Sequence, residues 1–277
     1  MGILRSTHHA HTVYVKGGQS TAEEMVLAAI RAGFRSIGLS EHGTQAVDPI
    51  HGLTPADAPR YIAEVRTLRE KYAGQIRVHL GVERDKLSSA RREDYEYVIG
   101  SVHYLVRGGE VYAVDGSPDA LRECRARHFG GSGAALARAY FREVAEYALS
   151  FRPDIIGHFD LIRVNDRDGA LYDPEDPALL DAEKEALEAV FRSGALLEVN
   201  TGGMARGFLD TPYPEPRLLK FWHDLGGRVI VGSDSHHVST IDYAFGQMPA
   251  YLRAAGFRSF WELGGEGEAR FVERGLD

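Results

Sequence analysis

Short apolar runs alternate along this chain with longer stretches whose apolar residues recur at helical spacing. "SIGLSEH" (36–42), "IRVHLGVE" (76–83), "YVIGSVH" (97–103), "DIIGHFD" (154–160), "LLEVN" (196–200) and "VIVGSDSH" (229–236) read as buried strands, and a run around residues 6–14 makes a seventh. The intervening segments carry helix punctuation. In "STAEEMVLAAIRAG" (20–33), Ser20 with Glu23 suggests a capping box and Gly33 a stop. In "TPADAPRYIAEVRTLREKYAG" (54–74), Thr54 is placed as N-cap, Pro55 in the first turn and Gly74 past the end. Further helices are expected near 134–150, 176–193 and 214–225, with helix and strand fragments over 241–273. Strands that each precede a helix must run parallel, because only a crossover of that length joins parallel neighbours. Seven such units predict an α/β fold, a distorted (β/α)7 TIM-like barrel in one domain over 1–277; a doubly wound open sheet is the alternative. The least regular stretch, 106–133, is expected as an inserted loop over one mouth.

Composition narrows the class without naming it. The chain has 277 residues, 44% hydrophobic, with a formal charge of −8. That acidic balance argues against wrapping a nucleic acid backbone. No apolar stretch is long enough to span a bilayer and the first residues lack a signal-peptide core, so a cytoplasmic protein without membrane partners is expected. Cys124 is the single cysteine. It excludes an internal disulfide and a thiolate zinc site, leaving His, Asp and Glu to hold any metal.

Those residue types gather at strand ends. Residues i and i+2 of a strand share a face, so His9 and His11 point one way and His8 the other. Taken alone, H-x-H fits a metal clamp or an ordinary polar strand. The motif recurs in kind, however: Glu41 and His42, Glu83, His103, His158 and Asp160, Glu198 and Asn200, and Asp234 and His236 all close strands. Parallel barrels bring those ends to one mouth. A buried ring of imidazoles and carboxylates without lysine or arginine beside it is most economically neutralised by divalent cations.

With HAHT at 9–12, SEH at 40–42, GVE at 81–83, YVIGSVHYL at 97–105, IGHFDLIR at 156–163, LEVNTGG at 197–203 and GSDSH at 232–236, the chain resembles the polymerase-and-histidinol-phosphatase superfamily of metal-dependent phosphoesterases. Within it, the pattern is most similar to the monofunctional histidinol-phosphate phosphatases. The resemblance implies two to three divalent ions (zinc, manganese or iron). His9, His11, Glu83 and Asp234 would hold the first; Glu83 would bridge to a second with His103 and His158; His42 and His236 would serve a third. Glu83, Asp234, His42 and His236 would thereby act in catalysis. The family's further histidine falls on Gly17, preceded by Lys16, and its acidic residue two positions before the first motif histidine falls on Thr7. Both departures bear on the metal count.

The activity implied is hydrolysis of L-histidinol phosphate, a small phosphorylated substrate, by hydroxide that the ions generate; another small phosphate monoester is the alternative. Arg163 and Arg206 are candidate phosphate ligands because guanidinium forks match phosphoryl oxygens, with Lys16 as a further cation. Asp160 and Asp115 are candidates for the substrate's ammonium. His51, His79, His128, His223 and His237 have no motif support, and His79 reads as a core residue. Cys124 reads as an inert thiol, Trp222 and Trp261 as packing anchors, and Glu41 as pointing away from His42.

Overall fold

A computed structural model describes residues 4–166 and 169–276; the outermost parts of the expected 1–277 domain, 1–3 and 277, lie outside the described residues. In chain order the elements are β1 (Ser6–Thr7), α1 (Ala22–Arg31), β2 (Ser36–Leu39), α2 (Asp57–Lys71), β3 (Arg77–Asp85), β4 (Tyr97–Ser101), β5 (Tyr104–Arg107), β6 (Glu110–Ala113), α3 (Pro118–His128), α4 (Gly133–Phe151), β7 (Ile155–Ile156), α5 (Pro177–Ser193), β8 (Leu196–Asn200), α6 (Gly202–Ala205), α7 (Pro216–Asp224), β9 (Val229–Gly232), α8 (Met248–Ala254), β10 (Ser259–Leu263) and β11 (Phe271–Gly275).

The seven expected strands pair in parallel in the order β1-β2-β3-β4-β7-β8-β9. Closure comes beyond the strand ends: Ala10 bridges Ser235, with the His11 amide donating to the Ser235 carbonyl at 2.8 Å and the Ser40 amide to that of Ala10 at 2.9 Å. At the opposite end β10 lies parallel to β9 and reaches β2, where the Ser36 hydroxyl donates to the Leu263 carbonyl at 2.7 Å. β11 then caps β10 in antiparallel register. The ring is a distorted TIM-like barrel, closed at its mouth by the Ala10–Ser235 bridge and at the other end by β10 between β9 and β2.

The helices wrap this ring because each presents one apolar stripe. On α1 the buried positions Ala22, Met25, Val26 and Ala29 follow the i, i+3, i+4, i+7 rule. Its capping box is Thr21 with Glu24, one residue later than expected, because Ser20 is used elsewhere: its hydroxyl accepts the Val238 amide at 3.2 Å. On α5 the Asp176 carboxylate caps the start, Pro177 occupies the first turn and Gly194 (φ 83°) ends the helix in the left-handed conformation.

Inside the ring the strands change character along their length. Tyr97, Ile99, Ile155, Leu196, Ile230 and Leu263 form a separate apolar cluster in the lumen. One or two residues further along the same faces come Glu83, Ser101, Glu198 and Asn200, all buried. The period-2 alternation sets this: Gly81 and Glu83 pair with Tyr97 and Ile99 across β3 and β4. Tyr97 lies across the lumen where it can because Gly38 and Gly81 have no side chain. A Cβ at either would sit 2.0–2.3 Å from the phenol. The apolar layer is thus the floor on which the polar mouth stands.

Two expected elements differ. The "DIIGHFD" strand ends at Ile156. The Gly157 amide still bonds the Gly100 carbonyl, but the His158 amide donates to Glu198 Oε2 at 2.9 Å, and the chain leaves the ladder for a short 3-10 helix at Leu161–Asn165. The 106–133 stretch is not a loop. β5 and β6 form a hairpin whose turn is Gly108-Gly109, with φ of 59° and 82°, the two positive values that a type I′ turn requires. α3 follows, and its apolar side buries Cys124, whose thiol burial pushes up to about 11, the reading of an inert thiol. Trp222 is fully buried; Trp261 is partly exposed under the Arg228 guanidinium.

His79 is a core histidine, as expected. Its Nε2–H donates to the Gly264 carbonyl at 2.9 Å, and burial pushes its pKa from 6.5 down to about 4. The unfolded chain therefore binds more protons than the folded chain between those values, and stability falls as pH drops through that window. The loss from this residue amounts to about 3 kcal/mol. A His79→Gln variant keeps an N–H donor and removes the titration. Its denaturant midpoint should be less sensitive to pH between neutrality and pH 4 than that of the wild type, and equal sensitivity would rule out the assignment.

Candidate metal centre

Every strand end at the mouth contributes to one polar cluster. The turn after β1 supplies His9 and His11, the segment just past β2 supplies His42 and β3 supplies Glu83. The residues just past β4 and β7 supply His103 and His158, and the loop after β9 Asp234 and His236. All eight candidate ligands are therefore brought together, by pairing between strands far apart in sequence.

The tightest group is a cage of four donor atoms. His9 Nε2 faces His11 Nε2 at 3.1 Å, Glu83 Oε2 at 3.2 Å and Asp234 Oδ1 at 3.6 Å. His11 Nε2 stands 3.3 Å from Glu83 Oε2 and 3.4 Å from Asp234 Oδ1. Two imidazole nitrogens, of His9 and His11, and two carboxylate oxygens thus converge, the donor types that zinc takes in proteins. The protonation pattern supports the fit. His9 Nδ1 lies 2.7 Å from Glu198 Oε1, so this nitrogen carries a proton and the ring turns Nε2 toward the cage. Glu83 Oε2 accepts no hydrogen bond among the described residues although it is buried. Donor atoms converging on a buried carboxylate oxygen call for positive charge among them, from protons or from a cation.

Two more groups adjoin it. Glu83 Oε1 is 2.8 Å from His158 Nε2 and 3.2 Å from His103 Nε2, and also accepts the Ser101 hydroxyl at 2.7 Å. His11, His42 and His236 form a third set of converging imidazoles, with His11 stacked between the other two at 4.4 Å ring separations. His42 Nδ1 also leans on Glu83 Oε2 at 2.9 Å.

Several residues to which the sequence reading gave no metal role, Glu198 and Glu41 of the strand-end ring among them, stand behind the ligands. Glu198 accepts from His9 on one oxygen and from the His158 amide and Asn200 Nδ2 on the other, both at 2.9 Å. His8, read as a bystander, is fully buried with Nε2 2.9 Å from Glu198 Oε1. It does turn from the His9–His11 pair, but toward the carboxylate that orients His9. Asp85 stands behind His103, accepting its amide at 2.7 Å and lying 3.4 Å from its Nδ1. Glu41 turns from His42 as expected, yet its Oε2 faces His11 Nδ1 at 3.7 Å while Oε1 accepts the Thr12 amide at 2.7 Å. Carboxylates behind metal-ligating imidazoles fix the tautomer and raise ligand basicity. The available signal was their place on strand ends, at the same mouth as the ligands.

The electrostatics centre on the cage. Burial opposes charge on His9, but Glu198, Glu83 and Asp234 overcome it and hold its pKa well above 6.5. At His11 the same contest, with Asp234, Glu41 and Glu83, pushes the value up to about 10. At His236 burial and the neighbouring His11 win, pushing the value down to about 3. Positive charge is stabilised between the carboxylates and disfavoured at the rim.

A cavity of about 460 Å³ opens onto the cluster, lined by His42, His103, His158, Asp234 and His236 together with Arg206, Asp115, Tyr213 and Gly17. Arg206 donates to Asp234 Oδ2 at 2.9 Å and keeps about a third of its side chain exposed. That contact helps hold Asp234 in the left-handed backbone region (φ 48°), unusual for a residue with a side chain. Gly202 is required beside it, since a Cβ there would lie 2.8 Å from both partners. Arg163 is a correction. Its guanidinium is engaged by Asp160 (3.2 Å), Thr211 (3.2 Å) and the Pro212 carbonyl (3.1 Å) and does not line the cavity. Asp160 is likewise engaged, by Arg163 and the Glu215 amide, so neither is placed to meet substrate. Lys16 is exposed and lines a side pocket that meets the cavity at His42, His103, Asp115 and His236.

Comparison with known proteins decides the family. The model of the PHP domain matches residues 7–202 of this chain. The chain belongs to the PHP family. Relatives of matching length extend the likeness past that boundary. A Deinococcus radiodurans protein named "Probable histidinol-phosphatase" is 30% identical, over 91% of this chain and 94% of its own. The histidinol-phosphatase of Bacillus subtilis is 23% identical, over 86% of this chain and 95% of its own. Among solved structures, a Lactococcus lactis histidinol phosphate phosphatase complexed with zinc, L-histidinol and phosphate superposes with a TM-score of 0.71 at 20% identity, covering 93% of this chain and 95% of its own.

The carboxylate behind His9 gives a direct test. Glu198→Gln keeps the size and an acceptor but removes the charge. Zinc affinity, measured by competition with a chromophoric chelator, should fall about 10–100-fold. Unchanged affinity would show that Glu198 does not tune this site.

Proposed function

We propose that this PHP protein is a metal-dependent phosphatase that hydrolyses L-histidinol phosphate to L-histidinol and phosphate. The observation that carries the reading is the four-atom cage of His9, His11, Glu83 and Asp234 at the base of a cavity that Arg206 also lines. The names of the Deinococcus and Bacillus relatives and the ligands of the Lactococcus structure supply the substrate.

His9, His11, Glu83 and Asp234 would hold one ion, and Glu83, His103 and His158 would hold a second. Zinc, manganese and iron(II) all suit this donor set. Such ions acidify water to a nucleophile at neutral pH and offset charge on the phosphoryl oxygens. The chain's own residues do the rest. Arg206 presents a guanidinium to those oxygens while its contact to Asp234 fixes the carboxylate's direction. His42 and His236, the most open imidazoles of the cluster, stand where the cavity meets the side pocket and face the ester, and Lys16 adds positive charge beside them. Asp115 lines both spaces and offers a carboxylate to the amine of an amino alcohol. His158 and Glu83 are almost wholly buried, which keeps bulk water from their faces.

Among the described residues no helix is long and apolar enough to cross a membrane, and a buried lone thiol suits the reducing cytoplasm to which we assign the enzyme.

Phosphate release from a panel of monoesters, with and without chelator, tests the proposal. Histidinol phosphate should give the highest kcat/KM and chelator should abolish turnover. A wide margin for a nucleotide or sugar phosphate would replace the substrate, and chelator-resistant turnover would overturn the metal mechanism. Arg206→Ala should lower kcat/KM about 100- to 1,000-fold. A loss of less than about threefold would remove Arg206 from the phosphate site.

A further inference from the structure

The three clusters of ligand atoms read above as metal sites are not equivalent. The first combines two imidazoles with two carboxylates, Glu83 and Asp234. The second has two imidazoles and shares Glu83. The third, His11, His42 and His236, contains no carboxylate at all, and both of its better placed members are committed elsewhere: His11 Nε2 belongs to the first cage and His42 Nδ1 leans on Glu83. A cation there gains no formal neutralisation from its own ligands, while the same ion in either neighbouring cluster does.

The open side of this third cluster is built by Gly17. A Cβ on Gly17 would point at His236, 3.6 Å from its Cδ2, so the position faces the imidazole directly but brings no donor atom. Gly17 has φ 101°, a conformation glycine adopts freely and other residues adopt only with strain. Two cationic side chains line the spaces around it, Arg206 in the main cavity and Lys16 in the side pocket. The acids lining the side pocket do not compensate. Asp48 is held by His51 at 2.7 Å and Tyr104 at 2.9 Å, and Asp115 belongs to no converging ligand group among the described residues.

We infer that this chain keeps two divalent ions as residents and takes a third at His11, His42 and His236 only when a phosphate in the cavity supplies the missing anionic ligand. The inference rests on the metal-centre reading above and adds to it an order of occupancy. Phosphate and the third ion then bind cooperatively, and by linkage each tightens the other equally. Two ions stay bound during turnover, while the third equilibrates with the medium between substrates.

Metal analysis separates this from the alternatives. The full chain is loaded with excess zinc and passed through a metal-free sizing column, equilibrated either without phosphate or with inorganic phosphate at saturating level. Wild type should retain two equivalents without phosphate and three with it, the affinity for the last ion rising about tenfold or more. His236→Ala should retain two in both buffers, because His236 belongs only to the third cluster. Gly17→His, where it folds, should retain three without phosphate. Three equivalents in wild type without phosphate, or two in wild type with it, would overturn the inference and leave the metal-centre reading standing. Retention of one or none would defeat the metal-centre reading itself.

Discussion

The structure is organised around nitrogen and oxygen lone pairs that point at one another. With His9 Nδ1 committed to Glu198, its Nε2 faces His11 Nε2, Glu83 Oε2 and Asp234 Oδ1 at 3.1–3.6 Å. Four acceptors at that spacing repel unless positive charge lies between them. Protons can serve in part, which is why His9 and His11 hold theirs so strongly. A divalent ion serves better, since it neutralises two carboxylates from a single point. The carboxylates outside the cage make the arrangement directional: Glu198 on His9, Asp85 beside His103 and Glu41 facing His11 orient rings toward the centre. The charge is therefore concentric, with imidazoles between two shells of acid.

Holding that much polarity in a protein interior requires a rigid floor. The barrel provides it by changing from apolar to polar within two residues of each strand. Leu196 and Glu198 share one face of β8, and Tyr97, Ile99 and Ser101 one face of β4. Tyr97 crosses the lumen over Gly38 and Gly81 and donates its hydroxyl to the His8 carbonyl, tying the floor to the segment that carries His9 and His11. Seven strands need help to close around such a floor. The Ala10–Ser235 bridge closes the mouth and β10 occupies the gap beneath it. Closure at the mouth also sets the site, because the bridging residues lie between His9 and His11 on one side and next to Asp234 and His236 on the other.

Most of this was legible from residue order. The period-2 and helical patterns located all seven parallel strands; strand ends gathered the polar residues, and the family resemblance picked the eight candidate ligands among them. What was less legible depends on contacts that a linear pattern does not encode. Arg163 and Arg206 look alike in sequence, each following a strand-end motif. Their roles diverge because Asp160 and the 211–212 carbonyls engage one, while Asp234 holds the other at the cavity. His8 was set aside by strand alternation, which correctly turned it from His9 but could not show that Glu198 waits on that side. The strand at 154–160 broke early because a side-chain carboxylate took the place of a ladder carbonyl. Gly108-Gly109 was a hairpin signal in plain view, overlooked within a segment dense in glycine.

Backbone strain enters the site at one of its carboxylates. Asp234 carries a left-handed backbone, a cost of about 1–3 kcal/mol for a residue with a Cβ. Relaxing it would swing the carboxylate off the cage, so it must be held from several directions. Arg206 grips Oδ2, Gly202 leaves room for that contact, and the Ser235 amide and carbonyl on the next residue are pinned against the His9–His11 segment. Each of these partners also shapes the cavity or closes the barrel. The conformation of one aspartate thus couples ring closure, cation binding and the approach of an anion. A glycine at 202 and an arginine at 206 belong to that coupling as much as the ligands do.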